Sequence, residues 1–356
     1  MPAMPTSRGE PGALMRREIA EQPDAVARLC DVEGGAIAAL GRRLRRAPPR
    51  LVVLAARGTS DNAALYGRYL IETAWGLPVS LAAPSVLTVY HARLRLRGSA
   101  VIGLSQSGAS PDIVEFLEAA RACGARTIAV TNLEGSPLAR AAHDTVLLRA
   151  GPERSVAATK TYTAQLTALS LLVAAAAGDR RLAGAHGDLP RRIADALGAD
   201  DRAREAARRW RRIVECVVTS RGYNYATARE AALKLKETCY VQAEPISAVD
   251  LMHGPIAVID RGFPVLLAAP PGRMLPGLAA LAARLKARRA QTVVCSSHPT
   301  MLHLAALPVK VPATPDERLS PHVYAVPMQL LAYHLARARG HDPDHPRGLR
   351  KVTRAR

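Results

Sequence analysis

At 356 residues, with 49% hydrophobic and 22% charged residues, the chain has the composition of a folded globular protein and the length of two domains. Its five cysteines, Cys30, Cys123, Cys216, Cys239 and Cys295, are odd in number and widely scattered, which argues against a disulfide framework or a structural zinc site. The formal charge of +19 raises nucleic-acid binding, but zinc-finger spacing and zipper heptads are absent and only nine Tyr, two Phe and two Trp are available to stack bases, so the arginines read as solvated faces.

No charged region followed by an apolar core and a cleavage site opens the chain, so nothing points to export. The longest apolar helix candidate, Thr163 to Gly178, carries Gln165 and Ser170 and is shorter than the roughly 20 residues of a bilayer span. It is expected to be a buried core helix. A cytoplasmic protein with neither a nucleic-acid nor a membrane partner is the expectation.

The first strand candidate is "RLVVLA", Arg50 to Ala55, and the loop after it holds Gly58, Thr59 and Ser60. The next, "AVIGL" at Ala100 to Leu104, is short and apolar throughout, as a strand buried on both faces would be. It stops at Ser105, Gln106, Ser107 and Gly108. Ser110 then stands as an N-cap with Pro111 in the first turn, and Ile113, Val114, Phe116 and Leu117 recur with helical spacing. The hydroxyls and the amide therefore sit where free backbone N–H groups and the positive helix end point outward, a favourable place for a phosphate. Strand candidates at Arg126 to Val130 and Thr145 to Leu148 complete a βαβ alternation.

After an apparent linker, Leu182 to Arg192, the order returns, with strand candidates at Ile213–Thr219, Pro264–Ala268, Gln291–Cys295 and Leu307–Val311. The similar spacing of the two halves predicts a duplicated α/β unit. Each half is expected to be a doubly wound parallel sheet between helix layers, with ligands at the carboxyl ends of the strands. The expected division is an N-terminal segment over 1–35, domains over 36–185 and 200–340, and a tail over 341–356. Neither a GxxxxGK[ST] loop nor a GxGxxG after a strand is present, so the phosphate is assigned to the substrate and no cofactor is expected.

The second half carries "REAALKLKETCYVQAEPISAVDLMHGP", Arg229 to Pro255. Glu230, Lys234 and Glu237 share one helical face, a pattern that most often marks a solvated, salt-bridged surface. His253, followed by Gly254 and Pro255, stands at a sharp bend and is an acid–base candidate. The basic tail, "HPRGLRKVTRAR", has no apolar period and by itself reads as disordered.

Taken together, "GTS" at Gly58–Ser60, "SQSG" at Ser105–Gly108, "VAATKTYTAQL" at Val156–Leu166, "EAALKLKE" at Glu230–Glu237, "HGP" at His253–Pro255 and "LSPHVYAVPMQLLAYHLA" resemble the isomerase half of glucosamine-6-phosphate synthase. That half is built from two tandem sugar isomerase domains with flavodoxin-like sheets, and the resemblance runs from Met15 to Thr353. It implies phosphate binding by Ser60, Ser105, Gln106, Ser107 and Ser110, with Thr59, Val156 and Ala158 on the substrate wall. It further implies proton transfer between sugar carbons 1 and 2 by Glu237, with Lys234 close by. Ring opening falls to His253 from the other subunit of a homodimer, and a Schiff base with the open-chain ketose to Lys351, so that the tail is ordered over the site.

Two departures bear on the reaction: Ala158 stands where the synthase has a serine, and Arg57 where it has a cysteine. About fifty residues precede the first strand candidate, so a chain without a glutaminase domain is the expectation, and the wording around Arg57 and Val156 is similar to that of the stand-alone, isomerase-type glucosamine-6-phosphate deaminases. These features imply isomerising deamination of a phosphorylated amino sugar, without metal or organic cofactor. The alternatives are an aminotransferase subunit without its own glutaminase, a fructosamine-phosphate deglycase, and, remotely, a sugar-phosphate-sensing transcription regulator.

Overall fold

The computed structural model describes residues 10–351, so the final part of the expected tail, with Thr353, lies outside the described residues. Two parallel five-stranded sheets organise the chain. The first contains β1 (Val52–Ala55), β2 (Val79–Leu81), β3 (Ala100–Leu104), β4 (Arg126–Thr131) and β5 (Asp144–Leu147), in the order β2-β1-β3-β4-β5. The second contains β6 (Glu215–Ser220), β7 (Gln242–Ser247), β8 (Pro264–Ala268), β9 (Gln291–Ser296) and β10 (Leu307–Lys310), in the order β7-β6-β8-β9-β10. Strand for strand the two orders are the same, the doubly wound arrangement expected of a duplicated unit. Every residue of β3 is buried, as its unbroken apolar run requires.

Three features depart from the sequence reading. Strands β2 and β7 were not anticipated: β2 has three residues and β7, "QAEPIS", is polar and half-exposed at the sheet edge. The apparent linker is helical, running through Arg180–Ala185, Leu189–Ala196 and Asp200–Trp210. Asp179 caps the first of these by accepting from the Leu182 amide at 2.8 Å, and Leu182, Leu189, Ile193 and Ala196 are buried at helical spacing. Finally, the Pro111–Ala122 helix starts where expected, but the Ser110 hydroxyl makes no capping bond and lies instead 3.2 Å from the Ser105 hydroxyl.

The sheets are joined face to face through helices. The Lys160–Ala177 helix is buried along most of its length, which accounts for its apolar sequence. It packs with the Gln22–Arg46, Thr59–Leu70, Tyr223–Cys239 and Ser320–Ala338 helices into one core shared by both halves. Gly41 is needed there, because a Cβ at this position would stand 2.5 Å from the Ala175 Cβ. Separate clusters around Phe116 and Leu117, and around Leu281 and Leu285, cover the outer faces of the two sheets. No helix among the described residues is long and apolar enough to cross a membrane.

Tail residues 341–351 are ordered, as the resemblance implies and against the tail's reading from its own composition, and Lys351 lines the cavity at the carboxyl ends of β1 and β3. Asp342 accepts from the Gly12 amide at 3.0 Å, and buried Asp344 accepts from the Leu14 and Met15 amides at 2.9 and 2.7 Å, so tail carboxylates cap the Ala13–Ala20 helix. The Arg347 guanidinium lies 4.1 Å from the centroid of the Tyr240 ring, and the Arg347 amide donates to the Tyr240 hydroxyl at 2.8 Å. These partners lie far away in sequence, where no local pattern could reveal them.

Candidate active site

A cavity of about 390 Å³ lies at the carboxyl ends of β1 and β3, which are neighbours in the sheet. Its wall includes Thr59, Ser60, Ser105, Gln106, Ser107, Ser110, Val156, Ala158, Lys234, Glu237 and Lys351, so every sequence-predicted site residue except His253 comes to one place.

The serine loop is shaped by Gly108, whose φ of 59° suits glycine and whose missing Cβ would overlap the Ser136 side chain. The Gln106 carbonyl accepts from the Asn132 amide at 3.1 Å and is turned toward the end of β4. The Ser107 N–H, trans to that carbonyl across a planar peptide, points the opposite way. Ser60 accepts from Gln165 Nε2 at 2.9 Å, which leaves its own proton free to donate. Thr59 differs: its hydroxyl donates to Glu230 at 3.0 Å and accepts from Lys234 Nζ at 3.2 Å, so it is committed to the protein's own charges.

The charged face of the Tyr223–Cys239 helix is not a solvated surface. Glu230 and Lys234 are each 1% exposed, because this face is pressed against the Thr59–Leu70 helix of the other half. Lys234 Nζ lies 2.5 Å from Glu237 Oε2 and 3.5 Å from Glu230 Oε1. Burial disfavours its ammonium, but the Glu237 and Glu230 carboxylates outweigh that cost and hold its pKa above the usual lysine range. Lys234 is therefore a fixed cation. Glu230 is pushed up to about 7 by burial, against the pull of Lys234 and the Asn62 and Thr59 hydrogen bonds. Glu237, by contrast, is partly exposed and faces the cavity, so it is the carboxylate of this pair that a substrate can reach.

Two buried acids escaped the sequence reading. Glu153 accepts from the Thr159 and Thr161 amides, from the Thr161 hydroxyl, and from Lys351 Nζ at 2.8 Å. Burial opposes its charge, yet Lys351 and the backbone donors hold its carboxyl below the usual range. Glu18 accepts from the Arg154 and Ser155 amides and is pushed up to about 7, chiefly by burial. The only sequence signal for Glu153 is its place three residues before the Val156 motif. His253 is exposed after the short Ala248–Met252 helix and does not line this chain's own cavity.

The SIS domain model matches the chain twice, over residues 45–175 and 209–339. The chain belongs to the SIS domain family. Among proteins similar to this SIS chain, a glutamine-fructose-6-phosphate aminotransferase (isomerizing) of Pyrococcus horikoshii is 36% identical over 346 residues, covering 95% of the chain but 57% of the relative. The chain thus spans little more than half the length of that relative. A solved structure from Silicibacter pomeroyi DSS-3, provisionally named a phosphosugar isomerase, is 37% identical with a TM-score of 0.84, covering 93% of this chain and 99% of that one. The C-terminal domain of glucosamine-fructose-6-phosphate aminotransferase from Francisella tularensis has a TM-score of 0.84 at 26% identity, covering 95% and 99%.

Proposed function

We propose that the chain catalyses isomerising deamination of an amino-sugar phosphate, with glucosamine 6-phosphate as substrate and fructose 6-phosphate and ammonia as products. The observation that carries this reading is the Glu237 carboxylate, oriented by Lys234 at 2.5 Å, in one cavity with the serine loop and Lys351. The phosphate sits against Ser60, Ser105, Gln106, Ser107 and Ser110, on hydroxyls, an amide and helix-end N–H groups. That anchor places the sugar's other end toward Glu237.

In the open-chain aldose, Glu237 takes the proton from carbon 2 and returns it to carbon 1. A proton passes from the nitrogen to oxygen 1, so the carbonyl at carbon 1 becomes a hydroxyl as the carbon–nitrogen bond at carbon 2 becomes an imine. The imine nitrogen takes a proton from the Lys351 ammonium, the freed amine adds to carbon 2 and ammonia leaves, and water then releases the ketone and restores the lysine ammonium. His253, which does not line its own chain's cavity, opens the ring from a second copy of the chain. With ammonia diluted into bulk water, mass action draws this sequence toward release.

The test is ammonia and fructose 6-phosphate release from glucosamine 6-phosphate by the purified chain, with no glutamine, metal or nucleotide added. Equimolar release supports deamination; no release from folded protein refutes it. The names of relatives such as the Pyrococcus protein favour a second reading, formation of the amino sugar. Net synthesis from fructose 6-phosphate and ammonium, without detectable release in the other direction, would establish that instead.

A further inference from the structure

Among the described residues four cations line the cavity: Arg57, Lys234, Arg350 and Lys351. Lys234 is shared between Glu230 and Glu237, and Lys351 is taken by Glu153. Arg350 belongs to the exposed tail. Arg57 is placed differently. It immediately precedes the Gly58–Ser60 turn, and its Nε donates to Asp112 Oδ2 at 2.7 Å, in the first turn of the helix that follows the serine loop. The Asp112 side chain is 8% exposed and that of Arg57 is 57% exposed.

We infer that Arg57 is the guanidinium clamp for the substrate's phosphate dianion, with Asp112 as the positioning residue that sets its plane. This inference rests on the phosphate-cradle reading above. The serine loop and Ser60 supply only neutral donors, and two helix N-termini supply partial charges, so a dianion there calls for a full countercharge that these groups do not provide. A guanidinium has five N–H donors, of which Asp112 engages Nε. Among the described residues the Nη groups have no protein partner, so both are free for phosphate oxygens. The Arg57 carbonyl, which accepts from the Ser60 and Asp61 amides, starts the Thr59–Leu70 helix and is untouched by a change of side chain. Truncation therefore removes the clamp without removing the turn.

The experiment is calorimetric titration of inorganic phosphate and of fructose 6-phosphate into wild type, Arg57→Ala, Arg57→Lys and Asp112→Asn, at pH 6 and pH 8, with folding checked by circular dichroism. Arg57→Ala is expected to weaken both probes by about 10- to 100-fold at pH 8, in keeping with a lost charge-assisted bidentate pair. The loss should be smaller at pH 6, where the probes carry less charge. Arg57→Lys should recover part of it, and Asp112→Asn should lose affinity while keeping the cation. Binding by Arg57→Ala within twofold of wild type at both pH values overturns the clamp and leaves the cradle standing. A loss equal at both pH values and not relieved by lysine also overturns it, as a structural defect. Failure of folded wild type to bind either probe overturns the cradle and the clamp together.

Discussion

Glu230→Gln should remove a pH dependence of stability that the sequence gives no reason to expect. Glu230 is 1% exposed and its pKa is pushed from 4.5 to about 7 by burial, even with Lys234 3.5 Å away. Below about pH 4.5 the group is protonated in both folded and unfolded chains. Between 4.5 and 7 the unfolded chain releases the proton while the folded chain keeps it, so stability falls as pH rises, and above 7 the fall is complete. At about 1.4 kcal/mol per pH unit the total is about 3 kcal/mol. Glutamine cannot ionise. It keeps an acceptor for the Thr59 hydroxyl, and Lys234 keeps Glu237 at 2.5 Å. Urea denaturation at pH 5, 6, 7 and 8 reads the effect: wild type should lose ground to the variant by about 3 kcal/mol across this range. Glu18, also raised to about 7 by burial, acts with the same sign, so the double variant with Glu18→Gln should be flatter still. Parallel wild-type and Glu230→Gln profiles would show that Lys234 keeps Glu230 ionised throughout and that pairing, not desolvation, decides this site.

Gly108→Ala forces a side chain into a left-handed position and against Ser136, and should cost about 2–4 kcal/mol in thermal or urea unfolding while weakening phosphate binding. Tyr240→Ala removes the ring beneath Arg347 and the hydroxyl bonded to its amide; limited trypsinolysis should then cut at Arg347, Arg350 and Lys351 faster than in wild type. Cys216, Cys239 and Cys295 are buried, with pKa values pushed up to about 12 chiefly by burial. Native alkylation should spare these three and reach them only on unfolding.

Much of this arrangement was legible in local sequence. β3 declared itself by an unbroken apolar run, and the loop after it by the polar stop, the glycine and the proline. Both signals depend only on neighbouring residues. The edge strands β2 and β7 lacked the apolar pattern because they are not buried on both faces. The resemblance set Lys234 beside Glu237, but the burial of Glu230 and Lys234 was not legible, because spacing along a helix defines a face and not what covers it; a second half of the chain does so here. The Glu153–Lys351 pair joins residues separated by 198 positions, and nothing short of the folded chain brings them together. Thr59 shows the same limit at finer scale, since its hydroxyl serves Glu230 although its neighbour Ser60 is free to donate.

The central claim is that Glu237 moves a proton between adjacent sugar carbons while the serine cradle holds the phosphate. The most direct measurement is ammonia and fructose 6-phosphate release from glucosamine 6-phosphate by wild type and Glu237→Gln, with sugar-phosphate affinity measured in parallel. The account predicts equimolar products from wild type, turnover reduced by about 10²- to 10⁴-fold in the variant, and affinity changed little. Turnover retained by Glu237→Gln, or no products from folded wild type that binds the sugar phosphate, would contradict it.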